Sequence, residues 1–341
     1  MKKILLFIPW YGQLPNYFNT WLQSATKLEG FIDFLLVGDF EELSYWGGEK
    51  NIIHYNISFT DLKKRVTKRG IKAPMHAYKL CDYKPLYGYI FEDYLTDEYE
   101  YWGYCDVDTV LGDVRGFLEQ IDYHQYDRIG EKGHFTIYRN NQICRELFKT
   151  VIPDAQPGDK FEYVCKTTYA CHFDEEGMNK ICHYVGLKYY EKNHELNTCE
   201  AMHHIHTTKY KDVPQLLVYE NGHTYSYAKV DGKIVKEEGM YIHFQYQKNM
   251  PALDVLGESF CLIPNGFHSL DMTKICDVMM QCGQPDSAEE AVRLRAQYVK
   301  KLRKGRYSKI LREFRYNGFY AIISILNRIP RLLQTRKYGN L

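Results

Sequence analysis

Short apolar runs alternate with segments of helical periodicity along roughly the first 120 residues of the chain. The apolar runs are typical of buried strands, and the segments between them predict helices. The predicted strands are residues 3–8, 32–37, 52–57 and 99–105, and the predicted helices are residues 15–28, 60–68, 77–95 and 114–121. Pro15 is expected to start the first helix and Thr60 to cap the second. This alternation favours an α/β fold with a mostly parallel sheet that is flanked by helices.

The later part of the chain contains turn signals of another kind. Asn221-Gly222 and Asp231-Gly232 are dipeptides that favour tight hairpin turns, and they divide residues 218–235 into short strands. We therefore expect a small β insertion there, and we assign it no chemistry. A further strand is predicted at residues 240–246.

The composition supports a sizeable core. The chain has 341 residues, 45% of them hydrophobic, which is enough for one large α/β domain or for a domain with an appendage. The mean hydropathy is −0.47, and no apolar run approaches the about 18 residues of a membrane-spanning helix. The apolar run at residues 4–8 is too short for a signal peptide. Ten cysteines without regular spacing indicate reduced thiols, so we expect a cytoplasmic protein.

Charge is distributed unevenly between the body of the chain and its C-terminal end. Residues 288–341 contain 14 Lys and Arg against 3 Asp and Glu, whereas the preceding 287 residues contain 30 against 40. Apolar residues such as Leu302, Ile310 and Phe314 recur in the basic segment at helical spacing, which predicts amphipathic helices. We therefore divide the chain into a domain, residues 1–285, and a basic helical tail, residues 286–341.

Two interpretations of the basic tail stay open. Basic amphipathic helices suit the surface of an anionic membrane, where they lie in the interface. Alternatively, the apolar stripe docks on the body of the protein. Nucleic acid is disfavoured as a partner because the aromatic residues lie on the apolar stripe and the body is acidic.

Two carboxylates follow the aromatic strand predicted at residues 99–105. Asp106 and Asp108 are two positions apart, so they point to the same side of an extended chain. Carboxylates are ligands for Mg²⁺ or Mn²⁺, and such an ion usually completes its shell with phosphates and water. One interpretation is therefore a metal site that binds a diphosphate, and the other is an ordinary turn at the end of a strand.

The loops after three predicted strands are expected to form one crevice, because ligands of open parallel sheets bind beyond the carboxyl ends of strands. These loops contain Pro9 to Gly12, Gly38-Asp39 and Asp106 to Asp108. Such a crevice would suit a nucleotide. The sequence has neither of the common glycine-rich phosphate loops, so a metal ion would have to bind the phosphates.

With these motifs, about the first 250 residues resemble the GT-A-fold (Rossmann-like) nucleotide-sugar glycosyltransferases, which bind their donor through an Asp-X-Asp motif. The layout is most similar to that of bacterial glycosyltransferases that build capsule and O-antigen polysaccharides. Asp106-Val107-Asp108 corresponds to the first motif, Phe173 to Asn179 to an acidic pair before a helix, and Tyr241 to Gln245 to a late histidine motif. Lys79 to Lys84 resembles the stretch that approaches the nucleoside.

The resemblance implies roles for individual residues. The cofactor would be Mn²⁺ or Mg²⁺, and the implied metal ligands are Asp106, Asp108 and His243. The implied catalytic residues are Asp174 and Glu175, which would recognise the acceptor or accept its proton. The implied donor-binding residues are Pro9, Tyr11, Asp39, Asp82, Lys84, Asp106 and Lys248. Glu175 stands where retaining members often have Gln, so the choice between a retaining and an inverting reaction stays open.

Several of these residues also have structural interpretations. Carboxylates at residues 174–176 favour the start of a helix in any case, and His243 is also compatible with a core histidine that bonds to the backbone. Residues 130–135 are a candidate acceptor-side loop. Cys199 and the histidines at 203, 204 and 206 have the residue types of a zinc site, but no second cysteine pair accompanies them at finger-like spacing.

The expected activity is the transfer of a hexose from a nucleoside-diphosphate sugar, with UDP-galactose or UDP-glucose favoured, to a hydroxyl of a lipid-linked glycan. The enzyme would work at the inner face of the cell membrane, bound peripherally to the anionic surface, without a nucleic-acid partner. Two alternatives stay open. One is a metal-dependent nucleotidyltransferase or phosphohydrolase, and the other is a non-catalytic protein that binds nucleotide sugars or glycans.

Overall fold

The computed structural model describes residues 3–40, 49–153, 155–199, 204–244, 257–264 and 266–317. In these ranges the strands are β1 (Lys3–Pro9), β2 (Ile32–Gly38), β3 (Ile52–Asn56), β4 (Tyr99–Cys105), β5 (Thr109–Leu111), β6 (Arg128–Ile129), β7 (Phe135–Arg139), β8 (Tyr189–Tyr190), β9 (Glu195–Asn197), β10 (Gln215–Glu220), β11 (His223–Val230), β12 (Lys233–Gly239), β13 (Tyr241–His243), β14 (Ser259–Ile263) and β15 (Gly266–Ser269). The α-helices are α1 (Phe18–Thr26), α2 (Phe59–Lys68), α3 (Tyr87–Ile90), α4 (Val114–Gln120), α5 (Gln142–Glu146), α6 (Phe161–Val164), α7 (Met178–Tyr184), α8 (Ile275–Cys282) and α9 (Ala288–Asn317).

The largest sheet has seven strands in the order β3-β2-β1-β4-β7-β6-β8. The four strands from β3 to β4 are parallel, β7 is antiparallel to β4 and to β6, and β8 is parallel to β6. An α/β protein was predicted and is observed, but the expected mostly parallel sheet is not confirmed, because antiparallel strands extend the parallel half.

The central strands β1, β2 and β4 bury apolar side chains on both faces, which explains their mostly hydrophobic sequences. In β1, Leu6 and its alternate neighbours pack in one core cluster, whereas Leu5 and Phe7 pack in a second cluster on the other face. Each face is covered by helices and loops, so the centre of the sheet is buried. The carboxyl ends of β1, β2 and β4 therefore lie side by side at one edge of the parallel half.

A second sheet has five antiparallel strands in the order β12-β11-β10-β14-β15. The hairpins predicted at residues 218–235 are confirmed as β10, β11 and β12. Both turns have positive φ at each central residue, 50° and 90° at Asn221-Gly222 and 49° and 77° at Asp231-Gly232. This conformation suits the twist of a two-residue hairpin and explains the choice of Asn, Asp and Gly.

The helices differ from the prediction at three places. Helix α1 begins at Phe18, so the expected start at Pro15 is wrong. Helix α2 is capped by Ser58, whose hydroxyl accepts a hydrogen bond from the Asp61 N–H at 3.1 Å, so the expected cap at Thr60 is wrong. Residues 77–95 do not form one α-helix. They form a 3₁₀ helix at Ala77–Leu86, then α3, then a short 3₁₀ turn at Glu92–Tyr94. Pro85 lies in the first piece and lacks the N–H that a regular helix requires.

The chain continues after the second sheet into α8 and the 30-residue helix α9. No side chain from residue 288 to residue 305 is buried. Within the described ranges, no helix is both long and apolar enough to cross a bilayer.

Candidate metal centre

Asp106 and Asp108 lie in the turn between β4 and β5, at the edge where the carboxyl ends of the parallel strands meet. The Asp106 N–H donates to the carbonyl of His134 at 3.0 Å, and the Thr109 hydroxyl donates to the carbonyl of Asp106 at 2.7 Å. These bonds fix the turn on both sides. Asp106 is partly exposed, whereas Asp108 is buried.

A small three-stranded sheet brings His243 to these carboxylates. Its order is β5-β13-β9, and His243 in β13 pairs with Thr109 in β5, directly after Asp108. The Phe244 N–H then donates to the carbonyl of Asp108 at 3.1 Å. One ligand atom each of Asp106, Asp108 and His243 lies within 4.8 Å of the others. The structure therefore assembles the three residues that the sequence proposed as a metal centre.

The hydrogen bonds of His243 prepare the ring for a metal. Its Nδ1 lies 3.0 Å from Oδ1 of Asn197, its register partner in β9, and a carbonyl oxygen only accepts, so Nδ1 carries the proton. In the neutral ring, Nε2 then presents a lone pair, and it lies 3.7 Å from Oδ1 of Asp108. That separation is too long for a hydrogen bond, and it lies between the about 3 Å of adjacent ligands and the about 4.2 Å of opposite ligands of one octahedral ion. Two carboxylates and a neutral imidazole fit Mn²⁺ or Mg²⁺.

Three aromatic residues, His134, Tyr241 and Tyr17, surround this cluster, and only Tyr17 lies outside the stretches that the sequence singled out. The ring of His134 packs against His243 with centroids 4.0 Å apart and planes tilted by 31°, and its Nδ1 lies 2.7 Å from the hydroxyl of Tyr241. Burial, reinforced by His243, holds the pKa of His134 well below its usual range, so the ring is neutral. The buried Tyr17 faces both carboxylates, and burial together with Asp108 raises the pKa of its hydroxyl.

Lys84 links the metal centre to Asp174, which lies in the acidic turn Phe173–Gly177 before α7. Its ammonium donates to Oδ1 of Asp106 at 2.6 Å and to the carbonyl of Gly133 at 2.8 Å, and it lies 3.7 Å from Oδ2 of Asp174. Burial works to lower the pKa of Lys84, but Asp106 and Asp174 outweigh it, so the pKa is raised and the charge is permanent. The predicted donor-side lysine is thus beside the candidate ligands.

The acidic triplet opens α7 through a π-helical turn, Phe173–Gly177. Asp174 is buried, and its burial raises the pKa to about 7, with Glu175 adding to the shift and Lys84 opposing it. Glu175 is partly exposed, and its Oε1 accepts a hydrogen bond from the N–H of Gly133 at 2.8 Å. The two expected catalytic carboxylates therefore lie in different environments, one buried beside a lysine and one at the surface of the site.

A buried arginine, Arg128, contacts the backbone of this turn. The guanidinium of Arg128 is fully buried between the rings of Tyr138 and Tyr189, at 5.3 and 4.6 Å from their centroids. Its Nη2 donates to the carbonyl of Asp174 at 3.4 Å, and its Nη1 lies 3.4 Å from Sγ of Cys182 in α7. Sequence reasoning missed Arg128, because a lone charged residue in a two-residue strand gives no periodic signal.

Asp82 does not lie where the resemblance placed it. Its carboxylate is fully buried and accepts hydrogen bonds from Lys79 Nζ at 2.7 Å and from the N–H groups of Cys171 and Phe173. Direct contact with a nucleoside is therefore wrong for Asp82. Instead, the residue fixes the backbone that leads into Asp174.

The remaining donor-side residues follow β1 and β2. Pro9 ends β1, and Tyr11 packs edge-on against Phe59 with centroids 5.1 Å apart. Burial raises the pKa of the Tyr11 hydroxyl, and the charge of Asp39 adds to the rise. Asp39 is exposed. Lys248 lies outside the described residues.

The zinc interpretation gains no support from the described residues. Nε2 of His206 is 3.0 Å from the carbonyl of Gly283, and its Nδ1 is 3.2 Å from the carbonyl of Lys211. Within the ranges that the structure describes, only Asp106, Asp108 and His243 form a group that could hold an ion. His203 lies outside these ranges.

The fold and the site define a mixed α/β protein with a candidate divalent-metal centre at the carboxyl end of a parallel strand. The chain belongs to a family of unknown function, DUF6625, whose family model matches residues 6–271. That range contains all three candidate ligands and the acidic turn. No curated protein matches the chain.

Proposed function

We propose that this protein is a divalent-metal-dependent glycosyltransferase that moves a hexose from a nucleoside-diphosphate sugar to a hydroxyl of a glycan. The observation that carries the proposal is the convergence of Asp106, Asp108 and His243 beyond the end of a parallel strand. The order β3-β2-β1-β4, with the Asp-X-Asp motif directly after β4, also supports a GT-A-like donor half. The antiparallel strands beyond β4 would then belong to the acceptor half.

The donor would lie along the edge formed by β1, β2 and β4. Tyr11 and Asp39 line the end nearest β2, where a base or ribose would contact an aromatic ring and a carboxylate. The diphosphate would lie over Asp106, Asp108 and His243, which would hold the ion. When bound, a divalent ion would offset the charge that grows on the diphosphate as the glycosidic bond breaks.

The two carboxylates of the acidic turn would have separate tasks. Glu175 is partly exposed, and one of its oxygens is fixed by Gly133, so it can accept the proton of an acceptor hydroxyl. Asp174 is buried beside Lys84, and with a pKa of about 7 it holds a proton part of the time at neutral pH. That proton changes the net charge next to Lys84 and Asp106. Asp174 would therefore adjust the electrostatic potential at the candidate metal ligands rather than contact the acceptor.

The identity of the substrates is proposed on the resemblance alone. A uridine-diphosphate galactose or glucose is the favoured donor, and a lipid-linked glycan at the inner face of the cell membrane is the favoured acceptor. Surface polysaccharide assembly is the corresponding process.

The test is incubation of the full-length protein with nucleotide sugars and Mn²⁺, with release of the nucleoside diphosphate as the readout. We expect activity with a uridine donor, loss of that activity in EDTA, and a decrease of about 10²-fold or more in Asp108→Asn. Asp231→Asn is the matched control, because Asp231 is exposed in a hairpin turn whose positive φ also suits Asn.

Two results would contradict the proposal. Activity that is unchanged in EDTA and in Asp108→Asn would show that the cluster has no catalytic role. Metal-dependent cleavage of simple phosphoesters, without turnover of any nucleotide sugar, would favour the phosphohydrolase alternative.

A further inference from the structure

Helix α9 presents apolar side chains to solvent along one side. Val292, Val299 and Leu302 are 71%, 38% and 45% exposed. Because a helix turns once every 3.6 residues, positions 292, 299 and 302 share a side. Apolar side chains are usually covered when several of them line one stripe. Arg295, which is also exposed, lies on the same side between Val292 and Val299. The described part of α9 thus carries an apolar stripe, interrupted by one arginine, that the body of the protein does not bury.

The opposite side of the same helix is basic. Lys300, Lys301 and Lys304 are exposed there. The whole helix has ten Lys and Arg against three Asp and Glu. It lies beyond residue 271, where the match to the family ends. Its basic residues are therefore not explained by the site described above.

We propose that α9 is a docking surface for an anionic lipid bilayer, on which the helix lies in the plane of the interface. Charge complementarity carries the choice of partner, since anionic headgroups attract clustered lysines and arginines while the apolar stripe enters the boundary of the acyl chains. The proposal is independent of the glycosyltransferase activity.

The charges of α9 disfavour a second copy of this chain as the partner. Two such helices packed along their stripes would bring together two segments that each have seven more basic than acidic residues. Like charges at close range repel, and nothing acidic on α9 beyond its first turn, apart from Glu313, would compensate. RNA would accept the basic side but would leave the apolar stripe uncovered.

The first experiment measures co-sedimentation of the full-length protein with vesicles, in EDTA and without nucleotide sugar. Vesicles with about 30% phosphatidylglycerol in phosphatidylcholine should bind the protein, and pure phosphatidylcholine should bind it at least about tenfold less. Raising the salt from about 0.05 M to about 0.5 M should weaken binding at least about tenfold, because salt screens the attraction.

Two variants separate the basic side from the apolar stripe. Lys300→Glu/Lys301→Glu/Lys304→Glu reverses three charges and should abolish binding. Its matched control is Lys192→Glu/Lys211→Glu/Lys233→Glu, which makes the same change in charge at exposed positions of the body and should still bind.

The second variant, Val292→Ser/Val299→Ser/Leu302→Ser, removes the apolar stripe and should weaken binding about tenfold or more. Its matched control is Ile143→Ser/Val151→Ser/Ile234→Ser, at comparably exposed apolar positions.

Three outcomes would overturn the proposal. The first is a full-length protein that ignores anionic vesicles at low salt. The second is binding that the α9 variants and their controls reduce equally. The third is absence of vesicle binding together with either RNA binding or a dimer that the α9 variants disrupt, which would assign the helix to one of those partners. Because the assay needs neither metal nor donor, a failure here leaves the glycosyltransferase proposal intact, and the converse also holds.

Discussion

Replacing Asp174 with asparagine tests the electrostatics of the candidate site without altering its shape. The carboxyl is buried, and its pKa is raised from 3.8 to about 7 in the folded protein. Each pKa unit corresponds to about 1.4 kcal/mol, so the ionised form is disfavoured by about 4 kcal/mol in the folded state. Asparagine has nearly the same size but no charge.

The sign of the pH dependence follows from the raised pKa. Between about pH 4 and pH 7 the folded state holds the Asp174 proton while the unfolded state releases it, so this residue lowers stability as the pH rises. The contribution is small near pH 4, and it reaches its full size above pH 7. We therefore expect Asp174→Asn to gain about 3 to 4 kcal/mol relative to wild type when the pH rises from about 4 to about 8.

The assay is urea unfolding of both proteins at about pH 4, 6 and 8, with the free energy of unfolding compared at each pH. The comparison cancels the titrating groups that do not interact with Asp174, and it also cancels any lost hydrogen bond, because that loss does not vary with pH. Glu176→Gln is the control, since it removes an exposed carboxylate from the same turn and retains Asp174. If the difference between Asp174→Asn and wild type is the same at all three pH values, the raised pKa is refuted.

Two further predictions concern the supports of the site. Asn197→Leu removes the acceptor that orients His243, so we expect about 10- to 100-fold weaker Mn²⁺ binding in an electron paramagnetic resonance titration; unchanged affinity would show that Asn197 does not orient the ring. Gly133→Ala places a methyl group against Oδ2 of Asp174, where there is no room for it, so we expect a loss of about 1–3 kcal/mol in the free energy of unfolding and a shifted pH–activity profile. Wild-type values of both would contradict the close packing of Gly133 against Asp174.

The parallel half of the fold was predictable because its strands carry their own signal. The runs that form β1, β2 and β4 are mostly apolar, with one charged residue each, and they are long enough to stand out; the hairpin turns have dipeptides of fixed chemistry. The antiparallel extension was not predictable. β6 and β8 have two residues each, which is too short to show a repeating hydrophobic pattern. They are extended only because they pair with strands that are distant in sequence.

The candidate site was likewise predictable only in part. The spacing of Asp106 and Asp108 follows from the strand itself, whereas the approach of His243 depends on the register of β13, which the sequence does not state. The misplacement of Asp82 has a physical cause, because a charged residue is normally exposed unless it is paired. Lys79, three positions earlier, was the signal that such a pair could form.

The register of β13 has a consequence for how the protein holds together. Asp108 and His243 are roughly 135 residues apart, and the stretch between them contains β6 to β12. An ion held by both would act as a reversible cross-link that fastens the start of this long stretch to its end. Mass action then predicts a gain of about 2.7 kcal/mol in stability at a hundredfold excess of metal over its Kd. The melting temperature would report on the metal supply, even before any sugar is bound.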